Sequence, residues 1–152
     1  MYNPSQGFHL VTRITTKSGS PEGDRLAHIF NEFTDIVKDN IISLVVMEGP
    51  SFASTNRSFS MGAAYGIIKL VCSMHSIKLV EIPPMSLKKY FTGKGTSGKG
   101  KMLDTALYHR IQVTNHDEAD AAACCCVAKD LQLGSNTPGT RAALEVIQTL
   151  GT

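Results

Sequence analysis

The chain has 152 residues and a mass of 16.4 kDa, so we expect residues 1–152 to form one domain with its own core. With 42% hydrophobic and 18% charged residues, the composition excludes a disordered chain or a collagen-like repeat. The formal charge of +2 is too small to predict nucleic-acid binding by itself. Five lysines and no acid, however, fall between Lys88 and Lys101, and the rest of the chain has 10 basic against 13 acidic residues. The sequence therefore predicts one basic segment on a mildly acidic body.

No segment resembles a signal peptide or a membrane span. Met1–Leu10 has no basic and apolar leader, and the longest apolar run, Ala121–Ala128, is far shorter than the ~20 residues that cross a bilayer. The cysteines are Cys72 and the consecutive 124–126, a spacing that fits neither a disulfide framework nor a zinc site. We expect them to be small buried side chains in a cytoplasmic protein without membrane partners.

The first predicted element is a half-exposed strand at Gly7–Lys17, where apolar and polar residues alternate. A turn at Ser18–Gly23 follows, and apolar residues at helical spacing then predict a helix over Asp24–Asp39. The β-branched run Ile41–Met47 predicts a strand buried on both faces, and it ends directly on Glu48.

Helices and strands alternate in the remainder of the chain. We predict a helix at Ser58–Ser73, a strand at Lys78–Ile82 and one helical turn at Ser86–Phe91. Three more helices are predicted at Lys101–His109, His116–Leu131 and Thr140–Leu150. This alternation predicts an α/β domain with at least partly parallel strands.

Three carboxylates lie at positions where a functional site is expected. Glu48 closes a buried strand, at the edge where open α/β sheets bind ligands. Asp117 and Asp120 are three residues apart and share a face of the 116–131 helix, whereas Glu118 points elsewhere. The helix dipole alone would explain Asp117, but Asp120 precedes eight apolar or small residues, where a carboxylate is costly unless it is paired or holds a metal. Together the three would offer the hard oxygen ligands that Mg²⁺ or Mn²⁺ prefers.

Four segments now add up to a family resemblance over roughly residues 7–129. They are the Glu-ended strand SLVVMEGPSFAS, the small-residue helix NRSFSMGAAYGII, the basic segment VEIPPMSLKKYFTGKGTSGKGKM and the helix DEADAAACCCVA. The chain resembles the RuvC family of Holliday-junction resolvases, and its smaller phage and mobile-element members most of all. The resemblance implies an RNase H-like mixed sheet flanked by helices and a dimer that acts on branched DNA in the bacterial cytoplasm.

The resemblance also implies roles for individual residues. Glu48, Asp117 and Asp120 match metal ligands, and Lys88 and Lys99 match basic residues near the scissile phosphate. The expected activity is Mg²⁺- or Mn²⁺-dependent cleavage of phosphodiester bonds in four-way junctions. The alternative is a non-catalytic or truncated junction-binding module of the same fold.

One departure from the family pattern concerns the first strand. RNase H-like nucleases begin with a strand that carries a ligating Asp, and here no Asp precedes Asp24. We expect that the first strand is missing or truncated in this chain, and that cleavage is weak or absent while DNA binding is partly kept.

The Gly- and Lys-rich segment Gly93–Gly100 has several interpretations. It nearly matches a P-loop, but Gly100 stands where the metal-binding hydroxyl belongs and a polar segment, not a strand, precedes it. A bare linker is a second possibility. We favour a mobile basic loop in which Lys89, Lys94 and Lys101 neutralise DNA phosphates.

Several weaker candidates stay open. Asn56 and Arg57 could contact the DNA backbone, or Ser54 and Thr55 could simply cap a helix. Phe52 could be a wedge at the junction, although core packing is favoured. The remaining pairs of interpretations are stacking or anchoring for Tyr90 and Phe91, metal binding or solvent exposure for His116, and dimer or internal packing for Gly62 and Gly66.

Overall fold

The computed structural model describes residues 1–3, 7–8, 13–49 and 58–134. These residues divide into two compact units: one holds 1–3, 7–8, 46–49 and 80–134, and the other holds 13–45 and 58–79. The elements are β1 (Tyr2–Asn3), β2 (Gly7–Phe8), α1 (Glu22–Asp39), β3 (Leu44–Glu48), α2 (Ser58–Met74), β4 (Lys78–Ile82), α3 (Pro84–Thr92), α4 (Lys99–Tyr108) and α5 (His116–Gln132). No helix in the described ranges has both the length and the apolar character needed to cross a bilayer.

Two small sheets are present among the described residues. β1 and β2 pair antiparallel, with Tyr2 opposite Phe8 and Asn3 opposite Gly7. β3 and β4 form a parallel pair, consistent with the α/β class predicted from the alternating elements. The pairing runs one residue past β3, because the Gly49 amide donates a hydrogen bond to the Ile82 carbonyl (2.8 Å).

The predicted strand at 7–17 is wrong over residues 13–17, which form no strand. This segment is instead tied to α1: Arg25 Nε donates to Thr16 Oγ1 (3.3 Å), and His28 Nε2 lies 3.1 Å from the Thr15 carbonyl oxygen. The alternating pattern was misleading because these threonines bond to helix side chains rather than to a neighbouring strand.

In the unit that contains residues 12–45, α1 packs against α2. α1 begins at Glu22, after a turn at 18–20 in which Gly19 has a φ of +82° that favours glycine. The buried residues of this pair are few and small: Thr34, Val37, Val71 and Cys72.

The other unit is built around α5, which packs against both α3 and α4. Its core combines apolar residues of all three helices with the end of β4: Val80, Ile82, Leu87, Phe91, Met102, Ala106, Ala119, Ala122, Ala123, Cys124 and Val127. The predicted helix at 140–150 lies outside the described residues. Whether residues 1–152 form one domain stays a prediction.

Three element predictions need correction. The helical turn expected at 86–91 is a nine-residue helix, since Pro84 occupies the first helical position, where its fixed φ is favourable. α4 begins at Lys99, so Lys99 belongs to a helix and not to the preceding loop. β3 is half-buried along its length rather than buried on both faces, because β4 is its only strand neighbour among the described residues.

Candidate active site

Glu48 is the last residue of β3, as the sequence predicts. Its side chain is half-buried, and the following Gly49 is buried against the end of β4. A Cβ at Gly49 would lie 3.5 Å from the Ile82 carbonyl oxygen, so the backbone runs close to β4 here. The strand pairing therefore holds Glu48 at the rim of the β3–β4 sheet.

The first turn of α5 is fixed by reciprocal capping. The Asn115 side chain accepts a hydrogen bond from the Glu118 amide (3.0 Å), and Glu118 Oε2 accepts from the Thr114 amide (2.6 Å) and the Thr114 hydroxyl (2.8 Å). This arrangement satisfies helix-terminal donors. Glu118 is therefore a capping residue bonded to Thr114 and Asn115, and the capping orients the turn that carries Asp117 and Asp120.

Glu48 and Asp120 interact electrostatically, although they are distant in sequence. Burial raises the pKa of Glu48, the negative charge of Asp120 raises it further, and Lys88 opposes both effects. Burial also raises the pKa of Asp120, Lys88 opposes this, and smaller effects come from Asp117, His116 and Lys99. Lys88 of α3 thus interacts with both carboxylates, and Lys99 at the start of α4 interacts with Asp120.

The structure brings together five of the predicted site residues in one unit: Glu48, Lys88, Lys99, Asp117 and Asp120. Asp117 is exposed and Lys88 is half-buried. Three further predicted DNA contacts, Lys89, Lys94 and Lys101, lie exposed on α3, the following loop and α4. Asn56, Arg57 and Phe52 lie outside the described residues.

The loop between α3 and α4 is organised around Thr92. Its hydroxyl donates to the Lys88 carbonyl (2.8 Å) and lies 2.6 Å from Ser97 Oγ, and it accepts from the Lys94 amide (3.3 Å). Gly93 ends α3 with a φ of +83°, and a Cβ at Gly95 would approach the Met85 carbonyl oxygen to 2.9 Å. The loop follows a helix, which excludes the strand–loop–helix context of a P-loop. The hydrogen bonds also make it a defined connection rather than a bare linker.

Sequence reasoning missed a cysteine beneath the carboxylates. Cys124 is hydrogen-bonded to the backbone of Glu48, and burial raises the pKa of its thiol. Cys124 is four residues after Asp120, so both lie on one face of α5. That spacing was the available signal. The other cysteines are free as expected, but Cys125 and Cys126 are only partly buried.

A second missed contact connects α3 to α5. The Tyr90 hydroxyl donates to Asp130 Oδ2 (2.7 Å), and burial together with this bond raises the pKa of Tyr90. Tyr90 is therefore a partly buried anchor, the second of the two interpretations left open for it. The available signal was Asp130 itself, because an acid in the last turn of a helix opposes the dipole and needs a compensating partner.

The carboxylates of this site are ligands that suit a hard divalent cation, but the described residues do not form a complete coordination site. The negative charge of Asp120 disfavours the ionisation of Glu48, and a bound cation would relieve this repulsion. His116 Nδ1 is buried without a hydrogen-bond partner in the described part of the chain. Among residues 1–3, 7–8, 13–49 and 58–134, no three His, Cys, Asp or Glu side chains form a group that could hold a metal as they stand. The residue types therefore fit Mg²⁺ or Mn²⁺, and the assignment of the three ligands stays a prediction.

Comparison with known proteins gives a consistent family. No family model matches the chain. It is 31% identical over 110 residues to the crossover junction endodeoxyribonuclease RuvC of Prochlorococcus marinus (strain NATL2A), covering 72% of this chain and 71% of the relative. Identity to the protein of that name from Rickettsia prowazekii (strain Madrid E) is 32% over 136 residues, or 82% and 85% of the two chains.

Solved structures agree on the fold. The RuvC structure of Thermus thermophilus superposes with a TM-score of 0.66 at 16% identity, covering 80% of this chain and 76% of that one. A second structure, T. thermophilus RuvC in complex with Holliday junction substrate, gives a TM-score of 0.63 at 18% identity, covering 73% and 70%. The RNase H-like fold expected from the sequence is thereby confirmed. With these relatives and this arrangement of carboxylates and lysines, the chain belongs to the RuvC family of crossover junction endodeoxyribonucleases.

Proposed function

We propose that this chain is a metal-dependent, structure-selective endonuclease that cleaves phosphodiester bonds in branched DNA, as a Holliday-junction resolvase. The observation that carries the proposal is the electrostatic interaction of Glu48 and Asp120 with each other and of Lys88 with both. The names of the relatives support the reaction class, and the similarity to a RuvC bound to Holliday junction substrate supports the substrate.

Glu48, Asp117 and Asp120 would hold Mg²⁺ or Mn²⁺, which when bound supplies Lewis-acid stabilisation and an activated water for phosphodiester hydrolysis. The chain's own contribution is to keep two partly buried carboxylates at one site in spite of their repulsion. Lys88 and Lys99 place positive charge beside Asp120, where they would offset the charge of the reacting phosphate.

The exposed lysines would bind the DNA backbone outside this site. Lys89, Lys94 and Lys101 are exposed on three consecutive elements, and Asn56 and Arg57 remain proposed backbone contacts. Phosphate contacts of this kind bind tightly without reading sequence, and their strength falls steeply with salt.

The test is metal-dependent nicking of a synthetic four-way junction. Asp120→Asn and Glu48→Gln should each lower the nicking rate by more than about 100-fold, since even residues that only support metal ligands cost 10–100-fold when they are lost. Asp39→Asn, an exposed acid at the end of α1, is the matched control and should leave the rate unchanged. Equal nicking by the wild type and Asp120→Asn would refute the assigned site.

The same experiment decides between the enzyme and a non-catalytic junction-binding module. Binding of the junction without nicking, in either Mg²⁺ or Mn²⁺, would establish that the 152-residue chain is a junction-binding module as it stands and would overturn cleavage by this chain.

We further propose that the protein acts as a homodimer through α2. Leu70 and Met74 are 50% and 61% exposed on this helix. Gly62 and Gly66 are exposed as well, and a Cβ at either would meet no atom within 4 Å in the described residues. Small and apolar residues four apart form one face on which a second copy of the helix could pack closely.

Three finer points also remain proposals. A ligating Asp on a strand encoded upstream of Met1 would complete the carboxylate set, and reading the coding DNA there tests this. A phage or mobile-element origin is tested by the neighbouring genes. A cytoplasmic location in the bacterial host follows from a DNA substrate and is tested by cell fractionation.

A further inference from the structure

The C-terminal end of α4 carries an exposed group of aromatic and basic side chains, Tyr108, His109 and Arg110. Tyr108 is 84% exposed, so most of its ring is accessible. The His109 ring stacks on the buried Phe91 (centroids 5.6 Å apart, planes at 29°) and meets the Tyr108 ring edge to face (5.5 Å, 80°). The His109 ring therefore contacts both the buried Phe91 ring and the exposed Tyr108 ring.

Arg110 follows in a left-handed conformation that glycine usually adopts at this place. Its φ is +59°, and its amide donates to the Leu107 carbonyl (2.9 Å) to close the helix. The side chain is exposed, forms no ion pair within the described part of the chain, and borders an open cavity of about 760 Å³. A non-glycine residue at positive φ is unfavourable by roughly 1 kcal/mol or more. The left-handed backbone thus places the exposed Arg110 side chain two residues after Tyr108, at the end of α4.

Charged side chains of both signs lie around this group, since Glu118 borders the same cavity as Arg110. Lys101 and Tyr108 lie seven residues apart on the exposed side of α4, and Asp104 lies between them on that side. Asp104 is four residues before Tyr108, so the two side chains are neighbours on that side of α4. An exposed ring and an exposed guanidinium two residues apart fit a nucleotide, whose base stacks on an aromatic face and whose phosphate pairs with arginine.

We propose that Tyr108 and Arg110 bind an unpaired nucleotide of the DNA substrate, with the base stacked on Tyr108 and the phosphate paired with Arg110. The proposal rests on the proposed DNA-binding function and adds a second contact to it. Nine residues of helix separate Tyr108 from Lys99, about 13–14 Å along the axis. That length corresponds to about four steps of a B-form strand at about 3.4 Å each. For a strand that runs along α4, the contact would lie about four nucleotides from Lys99.

Binding measured in EDTA tests the stacking contact without cleavage. The probes are a single strand and a four-way junction, each with an unpaired 2-aminopurine. Tyr108→Leu should weaken the affinity about tenfold and remove the stacking quench of the 2-aminopurine, whereas Tyr108→Phe should retain both. Leu133→Ala changes an exposed apolar residue after α5 and is the matched control. An unchanged affinity and quench in Tyr108→Leu would overturn the proposal.

Arg110 allows a variant that removes the charge while suiting the backbone. Because glycine favours positive φ, Arg110→Gly should fold at least as stably as the wild type. It should weaken binding and lower the slope of log affinity against log salt by about 0.7–0.9, the loss of one phosphate contact. Arg110→Lys should restore the slope. A slope unchanged in Arg110→Gly would contradict the phosphate contact.

Failure of this proposal is distinguishable from failure of the proposed function. If the Tyr108 and Arg110 variants bind normally while Asp120→Asn abolishes nicking, the nuclease assignment stands and the second contact is wrong. If the Tyr108 variant loses binding in EDTA while no preparation nicks DNA, the contact stands on a non-catalytic module.

Discussion

Helices α2 and α5 are both 17 residues long and rich in small side chains, yet they use these side chains in opposite ways. α5 buries Ala119, Ala123 and Val127 against other elements of its own unit. α2 leaves Gly62 and Gly66 facing open space within the described residues. Small residues allow close approach, and in α5 the approaching surface belongs to the same chain. Within the described residues no surface approaches Gly62 or Gly66, and a second copy of α2 is the proposed partner.

The largest effect should come from filling the buried face of α5. Ala123 is 0% exposed, so Ala123→Leu must displace its neighbours and should lower the free energy of unfolding by about 1–3 kcal/mol. Ala121, two residues earlier, is exposed, and Ala121→Leu should stay within about 0.5 kcal/mol of wild type. Urea denaturation measures both. Equal effects of the two substitutions would mean that α5 is not packed as described.

A smaller effect on stability is expected at the hydrogen bond that joins α3 to α5. Tyr90→Phe removes the hydrogen bond to Asp130 and should lower the free energy of unfolding by about 1 kcal/mol near neutral pH. Burial and this bond raise the pKa of Tyr90 in the folded state. The stabilisation is therefore full below the ordinary tyrosine pKa of about 10 and is lost as the pH rises above it.

Urea denaturation of both proteins at about pH 8 and about pH 11 checks this prediction. The gap between wild type and Tyr90→Phe should narrow at the higher pH. A constant gap would show that the hydroxyl contributes nothing beyond its packing.

The sequence predicted those parts of the site that depend on short-range sequence patterns. Glu48 ends an apolar β-branched run, and Asp117 and Asp120 are spaced along an α-helix, so their placement at a strand end and on one helix face needed no tertiary information. The interaction of Lys88 with both carboxylates depends on how α3 packs, and only the family resemblance indicated it.

The errors have tertiary causes. Lys99 was placed in a loop because Gly98 and Gly100 flank it, yet Gly98 serves as the N-cap and Gly100 is tolerated in the first turn of α4. Residues 13–17 alternate like a strand but are bonded to α1. In both places a correct local pattern was overruled by packing that the pattern does not encode.

The open face of α2 gives a prediction of opposite sign to that for α5. Because no described atom lies within 4 Å of a Cβ at position 66, Gly66→Ala should raise the stability of the single chain by about 0.5–1 kcal/mol through helix propensity. Gly66→Leu should preserve folding but disrupt the dimer, shifting it to monomer in sedimentation velocity. Met61→Ala, at another exposed position of α2, is the control for a change that adds no bulk. A dimer unaffected by Gly66→Leu would remove α2 from the interface.

The smallest predicted effect concerns Glu48 of β3 and Asp120 of α5. Burial and the neighbouring acids raise the folded-state pKa values of Glu48 and Asp120, so their ionisation disfavours folding and this penalty grows as the pH rises through those values. At neutral pH in EDTA, Asp120→Asn should therefore have a slightly higher melting temperature than wild type. The corresponding gain in the free energy of unfolding is on the order of 0.5 kcal/mol after allowance for solvent screening. Adding Mg²⁺ should stabilise the wild type more than the variant, because cation binding to the folded state relieves the repulsion. Differential scanning calorimetry with and without Mg²⁺ measures both effects. A variant that melts at a lower temperature than wild type in EDTA would contradict this prediction. It would show that Asp120 stabilises the fold, as the buried face of α5 does, instead of costing stability to form a metal site.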